Sequence, residues 1–301
     1  MRRAKAATKA VIACIAALFP AAGRGAEPAP SVAALTVQDT AGGGGRIYVS
    51  MRFGAVMGPM RLDTGASTSR LTLAPWNRDW PVTARSASLG ASGAAASCED
   101  VEAKNVALVA TQGNAVARGR YEVTRCAASD GGDLLGLDFF KGARLTLDIA
   151  HRQMTVFGEP AKHPKPLRRL GPDQSLAGID VKLGGAPVVG LFDTGAELCA
   201  IDRTFVQKHK KLFTAVKEKG AARDAGGKDI AAQKVTIRKL DLGDGLVLKD
   251  VLALSYDFGA LRAALGKDAP LVLGYNALTK VRWSLDLTKP ETPTFGAEAA
   301  Q

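Results

Sequence analysis

The chain has 301 residues, enough for two lobes that each bury a core. Its net charge is +11, from 40 basic and 29 acidic residues. No aromatic-rich basic stripe or zinc-finger spacing accompanies that charge, which argues against nucleic-acid binding. No Cys-x-x-Cys pair or His cluster is present, so neither a metal nor another cofactor is expected.

The N-terminus carries Arg2, Arg3, Lys5 and Lys9, then an apolar run over residues 10–19, then Pro20-Ala21-Ala22-Gly23. This is the charged, apolar and small-residue order of a signal peptide, placed at residues 1–26, with cleavage after Gly23 or after Ala26. The apolar run is shorter than the about 20 residues of a membrane-spanning helix. An exported protein, periplasmic or secreted, is therefore expected, with no stable membrane insertion once the signal is removed. Lipidation at Cys14 is disfavoured because the apolar run before it is short and continues past it. Loss of residues 1–26 removes five basic residues and leaves 35 against 29 acidic, or +6. That excess reads as solvated surface, with anionic envelope polymers or acidic substrates as the alternative.

Residues 27–43 are rich in Ala, Pro and Gly, and Gly42-Gly43-Gly44-Gly45 closes the stretch, so a flexible N-terminal segment is expected. A first lobe follows at 44–158. It opens with Val49-Ser50-Met51-Arg52-Phe53-Gly54, a period-two strand closed by a turn glycine. A second strand, Met60-Arg61-Leu62, leads into Asp63-Thr64-Gly65-Ala66. Further on, Gly90, Ala91, Ser92 and Gly93 form a small-residue hairpin tip, a flap candidate because glycine lets a tip bend and approach a bound chain. Cys98 and Cys126 flank a predicted hairpin and are a candidate disulfide, the alternative being free thiols. Leu134-Leu135-Gly136 begins a short helix, and Asp148 follows in an apolar setting.

Residues 159–175 hold four prolines among basic residues and read as a linker. A second lobe is expected at 176–296, with the last few residues frayed. It repeats the first in order. Ile179-Asp180-Val181-Lys182-Leu183-Gly184 aligns without a gap on the opening strand, and Asp193-Thr194-Gly195-Ala196 lies 130 residues after its counterpart. Gly226 and Gly227 are the second flap candidates, and Val272-Leu273-Gly274 with Asp286 completes the copy. Cys199, in an apolar strand, is expected to be inert and buried. Asp148 and Asp286 read as structural. Glu197 is read either as a subsite residue or as surface. The three histidines are scattered and no Gly-x-Ser-x-Gly occurs, which leaves no case for a serine triad.

A repeat of this length means two homologous lobes. The chain resembles aspartic proteases of the pepsin and retropepsin kind, and most of all bacterial retropepsin-like enzymes fused into a single chain. The resemblance rests on the two Asp-Thr-Gly-Ala turns and the two apolar-apolar-Gly segments, and spans most of residues 44–296. It implies an all-β acid-protease fold: two β-barrel-like lobes, a substrate cleft between them and a covering flap. The chain would be a monomeric pseudo-dimer acting on a polypeptide substrate. It implies that Thr64 and Thr194 reach across the axis to the opposite loop.

Two close carboxylates cannot both ionise, so their proton affinities split; one can take a proton from water while the other hydrogen-bonds a carbonyl. Asp63 and Asp193 are the expected catalytic pair, with Gly65 and Gly195 allowing the tight turns. Where Ala66 and Ala196 stand, pepsin-like enzymes carry a hydroxyl able to favour the charged carboxylate, so a mildly acidic optimum is expected. The leading expectation is an endopeptidase of exported proteins. The alternatives are a catalytically silent peptide-binding protein of the same fold and a structural envelope protein.

Overall fold

The computed structural model describes residues 28–127, 132–223, 228–266 and 268–300. The signal-peptide assignment and the flap candidates Gly226 and Gly227 lie outside the described residues.

Alternation of apolar and polar side chains builds the strands. In Gly44–Phe53, Ile47, Val49, Met51 and Phe53 point inward while Ser50 and Arg52 face solvent. Leu176–Leu183 repeats this, with Ala177, Ile179, Val181 and Leu183 buried and Asp180 and Lys182 exposed. A period of two on a half-buried sheet fixes register, because a one-residue slip would turn the apolar set outward.

Each lobe is an eight-stranded sheet, and the two have the same strand order. In lobe one the order is Thr36–Thr40, Gly44–Phe53, Val56–Leu62, Leu134–Leu135, Arg70–Thr72, Val116–Cys126, Ala95–Leu108 and Val82–Leu89. In lobe two it is Arg168–Leu170, Leu176–Leu183, Ala186–Phe192, Leu271–Leu273, Cys199–Asp202, Leu246–Tyr256, Asp229–Gly243 and Phe213–Arg223. Most neighbours are antiparallel. The short Leu134–Leu135 and Leu271–Leu273 strands run parallel to the strands that end at the two aspartates.

A third sheet of six strands joins the lobes. Arg144–Asp148 from lobe one pairs antiparallel with Val281–Asp286 from lobe two, Leu145 opposite Leu285 and Leu147 opposite Trp283. Trp283 is buried and meets Phe192, the residue before Asp193, edge-on at 5.1 Å between ring centres. The shared sheet therefore supports the floor of the cleft.

Three expectations about the edges of the chain are corrected. Residues 27–43 are not a loose segment throughout: Ser31–Ala34 pairs with Gln153–Val156 in the shared sheet, and Thr36–Thr40 pairs with Gly44–Tyr48. Ala33 and Leu35 are buried, so a few apolar side chains anchor a stretch whose composition reads as spacer. The linker at 159–175 also carries strands, Lys165–Pro166 against Thr294 and Phe295, and Arg168–Leu170 against Leu176–Gly178. Proline is tolerated there because both strands lie at a sheet edge, where a missing N–H breaks no ladder. The C-terminal strand runs on to Ala299, past the end expected for lobe two.

Candidate active site

Each aspartate sits where a strand ends in a tight turn. Val56–Leu62 delivers Asp63 and Ala186–Phe192 delivers Asp193, and the backbone N–H groups of both aspartates donate to the neighbouring parallel strand, at Leu135 O (2.9 Å) and Leu273 O (3.1 Å). Gly136 and Gly274 close those strands under the turns. A Cβ on Gly274 would come within 2.5 Å of the Leu198 backbone, and one on Gly136 within 2.9 Å of Ala66 O. Both positions therefore require glycine for space, not for backbone angle.

The turns grip each other. Thr64 N–H donates to Thr194 Oγ1 at 3.0 Å, and Thr194 N–H donates to Thr64 Oγ1 at 3.0 Å. The hydroxyls then donate to the opposite strands, Thr64 to Phe192 O and Thr194 to Leu62 O, each at 2.8 Å. Both threonines are wholly buried. Four hydrogen bonds with matching lengths make a two-fold lattice that fixes the two loops against each other.

That lattice brings the carboxyls together. A Cβ added at Gly65 would collide with the Asp193 carboxyl, and one at Gly195 with the Asp63 carboxyl. Each aspartate therefore lies against the opposite turn, which puts the two carboxyls in one site. Within each turn, Gly65 N–H donates to Asp63 Oδ1 at 3.0 Å and Gly195 N–H to Asp193 Oδ1 at 2.8 Å. Ala196 N–H adds a bond to Asp193 Oδ1 at 3.1 Å. Burial raises the proton affinity of Asp193 well above the carboxylate range, and the Asp63 charge raises it further. Arg61 and the Gly195 amide pull partly the other way. One proton shared by two acids is the state such a site favours near neutral pH.

Three features around the dyad carry no clear sequence signal. Arg61, two residues before Asp63, donates from Nη2 to Gly195 O across the cleft floor. Its alignment on Leu191 marks it as a charge in an otherwise apolar strand, the one hint available. Arg46 pairs with Glu197 of the other lobe at 2.6 Å. Burial opposes ionisation of Glu197, but Arg46, Thr40 and Arg61 together outweigh it and hold the carboxyl below its usual range. Behind the first turn, Ser69 Oγ donates to Asp138 Oδ1 at 2.9 Å and accepts Gly136 N–H at 2.9 Å, while Tyr121 donates to Asp138 Oδ2. Burial and the Asp138 charge together hold the Tyr121 hydroxyl protonated far above its ordinary range.

The remaining candidates are distributed as follows. Gly90, Ala91, Ser92 and Gly93 form the tip between Val82–Leu89 and Ala95–Leu108, closed by Gly90 N–H to Ala94 O and Gly93 N–H to Gly90 O, both 2.9 Å. Gly93 has φ +80° and lies against Ala260 of lobe two, so this hairpin reaches across the cleft. Cys98 and Cys126 are joined by a disulfide between paired positions of adjacent strands. Cys199 is a buried free thiol, pushed by burial up to about 12. Asp148 and Asp286 end paired strands of the shared sheet, where Asp148 meets His151 Nδ1 at 2.7 Å and Asp286 accepts Thr288 N–H at 3.0 Å. Neither stands in the dyad's network.

Comparison with known proteins agrees with this fold. The family model described as Aspartyl protease matches residues 179–277, the part of lobe two that holds Asp193. No curated protein sequence matches the chain. Among solved structures, the aspartic proteinase from Irpex lacteus is similar at 13 % identity and TM-score 0.53, covering 89 % of this chain and 97 % of its own. Basic 7S globulin from soybean is similar at 12 % identity and TM-score 0.52, covering 90 % and 95 %. Conglutin gamma from lupine seeds gives 11 % identity and TM-score 0.54, covering 90 % and 96 %. The chain has the two-lobed acid-protease fold.

Proposed function

We propose that the protein is an aspartic endopeptidase that hydrolyses peptide bonds of extended polypeptide in the cleft between its lobes. The observation that carries this reading is the mutual approach of Asp63 and Asp193, each lying against the opposite turn, locked by the Thr64–Thr194 lattice. In the reaction, the ionised member of the pair takes a proton from a water molecule as its oxygen attacks the scissile carbonyl carbon. The protonated member hydrogen-bonds the carbonyl oxygen and gives up its proton. The acid that took the water's proton then passes it to the leaving nitrogen as the C–N bond breaks, and the other acid recovers its proton as the carbonyl re-forms. One water is consumed, and a carboxyl and an amine are released. Both acids belong to one chain, which supports a monomer as the working unit. The N-terminal charged and apolar segment together with the Cys98–Cys126 disulfide supports a site of action outside the cytoplasm.

A second reading, a silent peptide-binding protein of this fold, is favoured by the globulin names among the similar structures. Cleavage of a denatured protein separates the two. The wild type is expected to produce fragments, and Asp63→Asn or Asp193→Asn to lose roughly a thousandfold or more of that rate. Equal cleavage by wild type and both variants would refute the proposal.

A further inference from the structure

We infer that the pocket beside the dyad in lobe one is a subsite for a carboxylate side chain, borne by a substrate residue that flanks the scissile bond on one side only. The inference rests on the endopeptidase reading and names the substrate class that this cleft would select.

Arg61 and Asp63 are two residues apart on one extended segment, so their side chains leave the same face. The guanidinium reaches the Gly195 carbonyl, next to Asp193. It therefore borders the place where a scissile bond would lie. It also lines a cavity of about 350 Å³, with Arg46, Tyr48, Pro59, Thr72, Gly132 and Asp133.

The charges in that lining are unequal. Among the described lining residues two guanidinium groups face one carboxylate, Asp133, whose Oδ1 already accepts Thr72 N–H at 2.7 Å. Arg46 commits its Nε to Glu197, and its side chain stays 41 % exposed while lining the cavity. Arg61 makes one side-chain hydrogen bond, to a neutral backbone carbonyl, and among the described residues no carboxylate pairs with it. A substrate lysine or arginine would meet two like charges. An apolar side chain would bury Arg61 further without a partner. A carboxylate would accept charge-assisted bonds from the planar donor forks of both arginines.

The duplicated lobe supplies an internal control. At the 130-residue offset, Arg46, Pro59 and Arg61 correspond to Leu176, Val189 and Leu191. These lie in an apolar cluster with Ala196, Leu254 and Val272, so the two pocket guanidinium groups have no counterpart at these positions. Asp202, the counterpart of Thr72, is buried, caps a helix and pairs with Arg262 at 2.7 Å. An acidic preference should therefore appear on one side of the cleaved bond and be absent on the other.

The test is a cleavage-site profile on a peptide library from a denatured proteome, followed by kinetics on two peptides that differ only by Glu or Gln at the enriched position. The expected result is enrichment of Asp and Glu on one side, with kcat/KM for Glu over Gln of about ten- to a hundredfold. In Arg61→Leu that ratio should fall to near one, while Arg61→Lys keeps part of it. Because the ratio compares two substrates on one enzyme, any effect of Arg61 on the dyad itself cancels. If Arg61→Leu does not fold, the wild type decides alone: its ratio should collapse as pH drops below about 4, where the substrate carboxyl protonates. A profile without one-sided acidic enrichment, or a Glu preference unchanged in Arg61→Leu, would overturn the inference. If the wild type cleaves nothing, the peptidase reading fails separately, and calorimetry of the Glu and Gln peptides still decides the subsite: equal affinity refutes it.

Discussion

The two lobes carry the same turn on the same strand order, yet they brace it by different chemistry. Behind Asp63 stand Ser69, Asp138 and Tyr121, a hydroxyl, a carboxylate and a phenol joined by hydrogen bonds. At the matching positions lobe two has Cys199 and Asn276. Asn276 accepts Cys199 N–H at 2.8 Å and donates to Leu252 O at 2.8 Å, tying backbone to backbone with no charge. Strand register places Val251 where lobe one has Tyr121. Either solution leaves the aspartate turn in place, so the fold requires a filled and hydrogen-bonded space behind the loop, not a particular side chain. Symmetry is strict only at the axis, where Thr64 and Thr194 must each satisfy the other.

That contrast can be broken most severely at the axis. Thr64→Val keeps the volume but leaves Thr194 N–H and Phe192 O without partners in a buried site, a cost of about 3 kcal/mol or more. Thr194→Val should cost the same, because its bonds have the same lengths. Urea unfolding of the two variants checks this; unequal losses would show that the floor is not two-fold. Next in size is the disulfide, which only lobe one has. Its half-cystines are 28 residues apart, and reduction should cost about 3 kcal/mol by freeing the unfolded loop. Hydrogen exchange should show the loss in Ala95–Leu108 and Val116–Cys126 and leave Asp229–Gly243 and Leu246–Tyr256 unchanged.

How far the chain could be read in advance follows the same division. Everything that duplication repeats was legible: the paired strands, the two turns, the glycines beneath them and the all-β architecture. A repeated pattern tests itself. What differs between lobes was not legible, because its meaning depends on groups far apart in sequence. Arg61 meets Gly195, and Arg46 meets Glu197, only after the lobes close. Tyr121 finds Asp138 only through sheet register. The misread segments at 31–40 and 165–170 fail for another reason. Their Ala, Gly and Pro content reports weak local preference for strand, while edge pairing to an existing sheet supplies what the local sequence lacks.

A smaller effect sharpens the brace comparison. Tyr121→Phe removes one donor from Asp138 and leaves Ser69 as the remaining side-chain donor to that carboxylate. The half-buried acceptor loses one bond, so a loss of about 1–2 kcal/mol is expected. Val251→Thr at the matching place in lobe two tests the opposite case. It buries a hydroxyl in a brace that needs none, and should destabilise without improving activity. Thermal unfolding and turnover of the two variants would separate a brace that depends on its charge from one that depends on packing. If Tyr121→Phe is neutral, the lobe-one network fills space and nothing more.

The smallest effect concerns the dyad's proton, and its sign follows from the charge. Arg61 is the cation whose field reaches Asp193, while burial and the Asp63 charge act in the opposite sense. Arg46 is already matched by Glu197, and the flap tip facing the cleft from Gly90 to Gly93 has no ionisable group. The working state of the pair holds one proton. A positive charge nearby makes that proton easier to lose and a second one harder to gain, so Arg61 sets both limbs of the pH profile lower than they would otherwise lie. In Arg61→Leu both limbs should move up, by about half to one pH unit given the partial exposure of the site. Arg61→Lys should hold the profile near that of the wild type, since it keeps the charge while losing the planar fork. A profile that stays in place in Arg61→Leu, with turnover merely reduced, would mean that Arg61 acts by tying Gly195 and not by its charge. A shift to lower pH would require a reassignment of which groups the profile reports.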